Sequence, residues 1–132
     1  QAYFELLNIP QTSCDYYQAA LTFNKRDLLS VLKPYGIKTA TSYYLNKGDA
    51  IHTDEIVTKV GLPCFVKPNK AGSSFGISKV KTAAELPIAI EVAYKEDNEI
   101  IIESFLDGTE VSVGIINYKG TITVLRITEI VY

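Results

Sequence analysis

The sequence predicts an α/β (α+β) chain: a small, mostly antiparallel sheet covered by helices, followed by further strands. Three observations predict it. Apolar residues recur at helical spacing through the first 32 residues. Two strand-then-helix segments follow, 37–61 and 62–95. The last third alternates as strands, two of them joined by Lys119-Gly120, a hairpin signal.

In chain order, Tyr3, Phe4, Leu6 and Leu7 mark a first short helix, and Pro10 excludes helix from the turn at 8–13. Ser13 or Asp15 can cap a second helix over Tyr16–Phe23. Asn24 to Asp27 interrupt the apolar pattern. It resumes at Leu28, Leu29, Val31 and Leu32 until Pro34 and Gly36 end it. Residues 37–45 are β-branched and aromatic and read as a strand; Thr53 caps a helix closed by Gly61. Cys64-Phe65-Val66 reads as a buried strand and Ile77–Val80 as its partner. Thr82 and Glu85 have capping-box spacing and open a helix to about Lys95, with Pro87 in its first turn. Strands are expected over 99–105, 110–118 and 121–131.

At 132 residues the chain can bury one core, and 47% hydrophobic with 21% charged residues is an ordinary globular balance. A net charge of −2 leaves no basic footprint for nucleic acid. No apolar run reaches the roughly 18 residues of a membrane span. Two cysteines and one histidine build neither a disulfide framework nor a usual zinc site, and a reducing cytoplasm is the expected setting. The chain has no Met and opens on Gln1 inside a helical pattern, which reads as a piece of a longer protein.

Residues 61–80 concentrate the chemistry. A strand delivers Lys67 and Pro68, a small-residue loop (Ala71, Gly72, Ser73, Ser74, then Gly76) follows, and a second strand carries Lys79. A lysine leaving a rigid strand beside amides with no bulky side chains suits a polyphosphate. The loop is neither a Walker A loop nor a G-x-G-x-x-G turn. No helix opens directly after it, so it reads as a flap over a nucleotide. Against this stand plainer readings: Lys67 as a solvated strand end, Ser73 and Ser74 as turn residues, and Lys25 as a solvated helix charge. Glu103 ends the apolar run Ile100-Ile101-Ile102. It either emerges from the sheet or accepts from a ligand amine at a cleft edge. Glu110 follows after Asp107-Gly108-Thr109. His52 reads as an exposed residue at a helix start.

Two segments, F-V-K-P-N-K-A-G-S-S-F-G-I-S-K-V (65–80) and I-I-I-E-S-F-L-D-G-T-E-V-S-V (100–113), resemble the D-alanine–D-alanine ligases of the ATP-grasp superfamily. L-L-N-I-P-Q-T-S (6–13) and A-L-T-F-N-K (20–25) extend the likeness to essentially the whole chain. The K-P-x-x-x-G-S-S-x-G run is fairly specific to that family. The resemblance implies ATP as cofactor, with Mg2+ ligands lying outside this chain. It implies that Lys25 and Lys67 hold phosphates and that Gly72, Ser73, Ser74 and Gly76 close over them. Glu103 would accept from the adenine amine, the backbone of Ser104, Phe105 and Leu106 would read the ring edge, and Glu110 would bind the ribose. Ser73 would also order the substrate side, as the catalytic candidate.

The implied reaction phosphorylates one D-alanine carboxylate; the amine of a second D-alanine then attacks the acylphosphate, for peptidoglycan synthesis. The implied parent is a cytoplasmic homodimer. Implied boundaries are 1–15 (end of an N-terminal domain), 16–102 (central domain) and 103–132 (start of a C-terminal lobe). The magnesium ligands and a catalytic arginine would lie beyond Tyr132, so the chain alone is expected to be inactive. Arg126 departs from the family, which usually has proline there. Other ATP-grasp carboxylate–amine ligases, a nucleotide-binding module without chemistry, and a purely structural domain remain alternatives.

Overall fold

The computed structural model describes residues 1–131; Tyr132, the end of the segment expected to open the C-terminal lobe, lies outside the described residues. Three short helices come first: α1 (Ala2–Leu6), α2 (Tyr16–Phe23) and α3 (Lys25–Leu32). A four-stranded sheet follows, built from β1 (Ser42–Asn46), β2 (Cys64–Pro68), β3 (Ser78–Val80) and β4 (Glu99–Ser104) in the order β1-β4-β2-β3. Every pairing in it is antiparallel. Helices α4 (Thr53–Val60) and α5 (Leu86–Ala93) cover one face. Strands β5 (Val111–Tyr118) and β6 (Thr121–Glu129) form a separate two-stranded sheet. The antiparallel sheet with helices is as the sequence predicts. The anticipated 102/103 boundary falls inside β4.

The register sorts side chains by face, because successive residues of a strand point to opposite sides. Val66 lies opposite Ile102, and Ile100 lies between Leu45 and Pro68, so these residues share one face. That face packs on Ile56 and Val60 of α4 and on Leu86, Ala89, Ile90 and Ala93 of α5. The intervening residues, Phe65, Lys67 and Glu103, fall on the other face with Ile101 and Tyr44. Cys64 is fully buried in the core, where loss of solvent pushes its thiol pKa up and keeps it unreactive.

Several element ends differ from the sequence reading for identifiable reasons. α3 begins at Lys25, not Leu28, because Asn24 alone makes the break: it ends α2, and its side chain accepts from the Asp27 amide at 3.2 Å to cap α3. Asp15, not Ser13, caps α2, accepting from the Gln18 amide at 2.7 Å. β1 starts at Ser42 and not at Ile37 because its partner β4 ends at Ser104. There the Ser104 amide donates to the Thr41 carbonyl at 2.9 Å and the Thr41 amide to the Ser104 hydroxyl at 3.0 Å, closing the ladder. Thr53 is the first residue of α4, with His52 at the cap position. Glu85 accepts from the Lys81 amide and the Thr82 hydroxyl, closing a short 3-10 turn before α5, which stops at Ala93.

The hairpin turn is as predicted: Lys119 (φ 51°) and Gly120 (φ 82°) both take the left-handed region that a tight two-residue turn needs. The β5–β6 register slips between Val113 and Ile115, so that Leu125 and Arg126 together face Gly114. Arg126 thus stands at a bulge, where a ladder bond is already interrupted and where proline is tolerated in other sheets.

Ile102 is fully buried between both covering helices and the neighbouring strands. Replacing it with Ala is expected to cost about 2–5 kcal/mol of stability in urea unfolding, from lost transfer energy plus the residual cavity.

Candidate functional site

The face of the sheet opposite α4 and α5 carries the charges. Phe65 lies opposite Glu103 and Lys67 opposite Ile101, so Lys67 and Glu103 are diagonal neighbours on adjacent strands. Their side chains meet in an ion pair at 2.7 Å, with 26% and 14% of each exposed. Both residues line a cleft of about 810 Å³. Phe65 and Phe105 wall it, with ring centroids 6.1 Å apart. Ser104, Leu106 and Glu110 line it as well, and Glu129 and Ile130 bring in the end of β6. The Ile130 amide donates to the Glu110 carbonyl at 2.9 Å, tying that wall to the chain leaving β4.

Lys25 approaches the same charges from α3. Its Nζ donates to the carbonyls of Asn69 and Ala71, each at 3.1 Å. Burial holds its pKa below the usual lysine value; the nearby Lys67 charge lowers it further, and Glu103 and Asp97 partly offset this. Two ammonium groups near enough to repel each other, one of them paired with a carboxylate, make a place that can favour a polyanion.

The loop between β2 and β3 is tightly turned. Ser73 (φ 51°), Ser74 (φ 60°) and Gly76 (φ 68°) are left-handed, and the Phe75 amide donates to the Gly72 carbonyl at 3.1 Å. Gly76 has a second constraint: a Cβ there would lie 2.8 Å from both Pro68 Cγ and Glu96 Cγ. At the base of the loop the Lys70 amide donates to Asp97 at 2.7 Å and Lys70 Nζ pairs with Glu99 at 3.0 Å.

The structure therefore brings Lys67, Glu103, Ser104, Phe105, Leu106 and Glu110 to one cleft. Lys25, Gly72, Ser73, Ser74 and Gly76 lie outside its lining, with Lys25 linked to it through Lys67. Both the Ser104 side chain and its amide are engaged in closing the sheet against Thr41. Two residues had no assigned role in the sequence reading. Lys79 lies on the same face as Phe65, with Nζ 4.0 Å from the centroid of the Phe105 ring. Asn69 is a fully buried polar side chain two residues after Lys67. Alternation along β3, where Val80 enters the core, identifies Lys79's face, but nothing local signals that Asn69 is buried. Among the described residues, no group of three or more His, Cys, Asp or Glu is placed to hold a metal ion. Among these residues no helix is long and apolar enough to cross a membrane.

An antiparallel sheet with helices on one face is the architecture this chain shares with ATP-grasp D-alanine–D-alanine ligases of known structure. A family profile described as D-ala D-ala ligase C-terminus matches residues 31–132, and the chain belongs to that family. It is 88% identical over 131 residues to a D-alanine–D-alanine ligase of Flavobacterium johnsoniae, a match covering 99% of this chain and 41% of that protein. Among solved structures, the VanG D-Ala:D-Ser ligase of Enterococcus faecalis superposes with a TM-score of 0.86 at 35% identity, over 96% of this chain and 37% of that one. A D-alanine–D-alanine ligase of Bacillus anthracis, complexed with ATP, superposes with a TM-score of 0.75 at 27% identity, over 86% of this chain and 37% of that one. The chain thus spans about two fifths of the length of the relatives it matches.

The electrostatic coupling has a measurable sign. Lys67→Ala removes a repulsive charge and is expected to raise the Lys25 pKa, whereas Glu103→Gln removes an attractive one and is expected to lower it. NMR titration of the Lys25 side chain in each variant reads the two opposite shifts.

Proposed function

We propose that this chain supplies the nucleotide-holding part of a D-alanine–D-alanine ligase. The observation that carries the reading is the Lys67–Glu103 pair inside a cleft walled by Phe65 and Phe105, on a fold shared with such ligases. The residues present fit ATP: cationic groups for phosphates, an acceptor for an exocyclic amine, and apolar surface for a purine. When bound, ATP supplies a transferable phosphoryl group to the carboxylate of one D-alanine. A second D-alanine amine then displaces phosphate to give the dipeptide for peptidoglycan.

In this reading the ligand exchanges the Lys67–Glu103 ion pair for two separate contacts. Lys67 and Lys25 turn to phosphate oxygens, each worth about 2–4 kcal/mol of barrier if preorganised as such donors are elsewhere. Glu103 accepts from the adenine amine, and the backbone at Ser104 to Leu106 meets the ring edge. Phe65 and Phe105 exclude water and strengthen both contacts. Glu110 takes the ribose hydroxyls. The loop Gly72–Gly76 closes over the phosphates, with Ser73 on the substrate side. Magnesium belongs to this chemistry, and its ligands are read as lying outside this chain, since the described residues gather no group of three or more His, Cys, Asp or Glu. The whole protein is read as a cytoplasmic homodimer.

A second reading keeps the nucleotide site and changes the nucleophile, and the D-Ala:D-Ser ligase neighbour favours it. Product analysis with D-alanine and D-serine in competition separates the two.

In a full-length protein carrying this chain, Lys67→Ala is expected to lower kcat by about 10²–10³-fold. Exposed Lys33 is the control, with Lys33→Ala leaving the rate unchanged. Steady-state rates from Lys67→Ala and Glu103→Gln that match the parent would remove the proposal. The 132-residue chain alone is expected to make no dipeptide; product detected by mass spectrometry would contradict this.

A further inference from the structure

The side chain of Asn69 is fully buried, and every polar atom of it has a partner. Its Oδ1 accepts from the Arg26 backbone amide at 2.9 Å. Its Nδ2 donates to Asn24 Oδ1 and to Glu99 Oε2, each at 2.8 Å. These partners fix the orientation of the amide: a backbone N–H can only donate, and an ionised carboxylate can only accept. The backbone is used as well. The Asn69 amide donates to the Glu99 carbonyl at 2.9 Å, and its carbonyl receives the Lys25 amide at 3.4 Å.

Together these bonds cap a helix from outside it. The first amides of a helix have no partner within the helix. In α3, the amides of Lys25 and Arg26 go to Asn69, and that of Asp27 goes to Asn24, which Asn69 itself holds. The same Asn69 carbonyl receives Lys25 Nζ. Asn69 follows Lys67 by two residues at the end of β2, so the strand that presents one ammonium also anchors the helix that presents the other. Glu99 completes the link to β4; donors from Lys70 and Asn69 hold its pKa below the usual carboxylate value.

We infer that Asn69 is a positioning residue, capping α3 from the end of β2 so that the Lys25 ammonium is held beside Lys67 at one polyphosphate. This rests on the nucleotide reading above. No aliphatic residue satisfies these groups. Aspartate has the right shape but presents acceptors where Asn69 donates, one of them toward the Glu99 carboxylate.

The test uses the full-length protein and isothermal calorimetry with ATP and with adenosine, which lacks phosphates. Asn69→Ala is expected to weaken ATP binding about tenfold while adenosine affinity stays within about twofold, inside the ordinary context error of such changes. Lys25→Ala should do the same, and the double variant should be no weaker than Lys25→Ala alone. Losses that multiply in the double variant, or equal losses for ATP and adenosine, would overturn the inference. Lys25→Ala weakening ATP while Asn69→Ala does not would overturn the role of Asn69 and leave the nucleotide reading standing. Lys25→Ala without effect removes Lys25 from the phosphate site, and the inference with it. Should Asn69→Ala fail to fold, Asn69→Asp decides. Its ATP defect relative to the parent should shrink between pH 8.5 and pH 5, as protonation restores one donor; a defect independent of pH counts against the assignment.

Discussion

The antiparallel pairing of β2 with β4 is the constraint on which the rest depends. Its register places Val66 with Ile102 on the covered face and Phe65 with Glu103 on the open one. A slip of one residue would drive Lys67 and Glu103 into the helices and expose the isoleucines, so the hydrophobic core and the cleft are specified by the same hydrogen-bonded ladder. Burial of Ile100 and Ile102 under α4 and α5 stabilises the register. The charged pair on the other side follows without needing to contribute much itself. Stability and chemistry are separated by face, and no residue of the cleft has to serve the core.

Ile101 shows how completely β4 is used. It points to the open face yet is fully buried, between Lys67 of β2 and Tyr44 of β1. Arg26 of α3 lies over the Tyr44 ring at 4.9 Å and donates to Asn46 at 2.8 Å, so α3 covers this part of the open face. The cleft begins where that cover ends, at Glu103. The helix that bears Lys25 therefore closes one side of the sheet and borders the site in a single placement.

Much of this was legible in the residues. Alternation in 64–68 and the apolar run ended by Glu103 identify the two strands, and Lys119-Gly120 announces its turn. The loop around Gly76 is legible as a run of small residues, though the contact with Pro68 and Glu96 that demands glycine there is long-range. What sequence could not show was long-range. Lys25 reads as a solvated helix charge until the carbonyls of Asn69 and Ala71 are found beside it. Asn69 carries no local signal at all, and its partners lie 30 to 45 residues away. The start of β1 was misplaced because propensity in 37–41 is β-like, while the ladder available to it ends with β4.

The ribbon of β5 and β6 has both faces open to solvent, with Ile115, Ile122 and Ile127 among its exposed side chains. Two strands without a packed face are marginal in water, whereas the four-stranded sheet is anchored by its helices. In this chain by itself, Lys67 and Glu103 stand on a sheet anchored by helices, while Glu129 and Ile130 stand at the end of a ribbon with no packed face. Opening of that ribbon is expected to remove one wall of the cleft and leave the ion pair of the other in place.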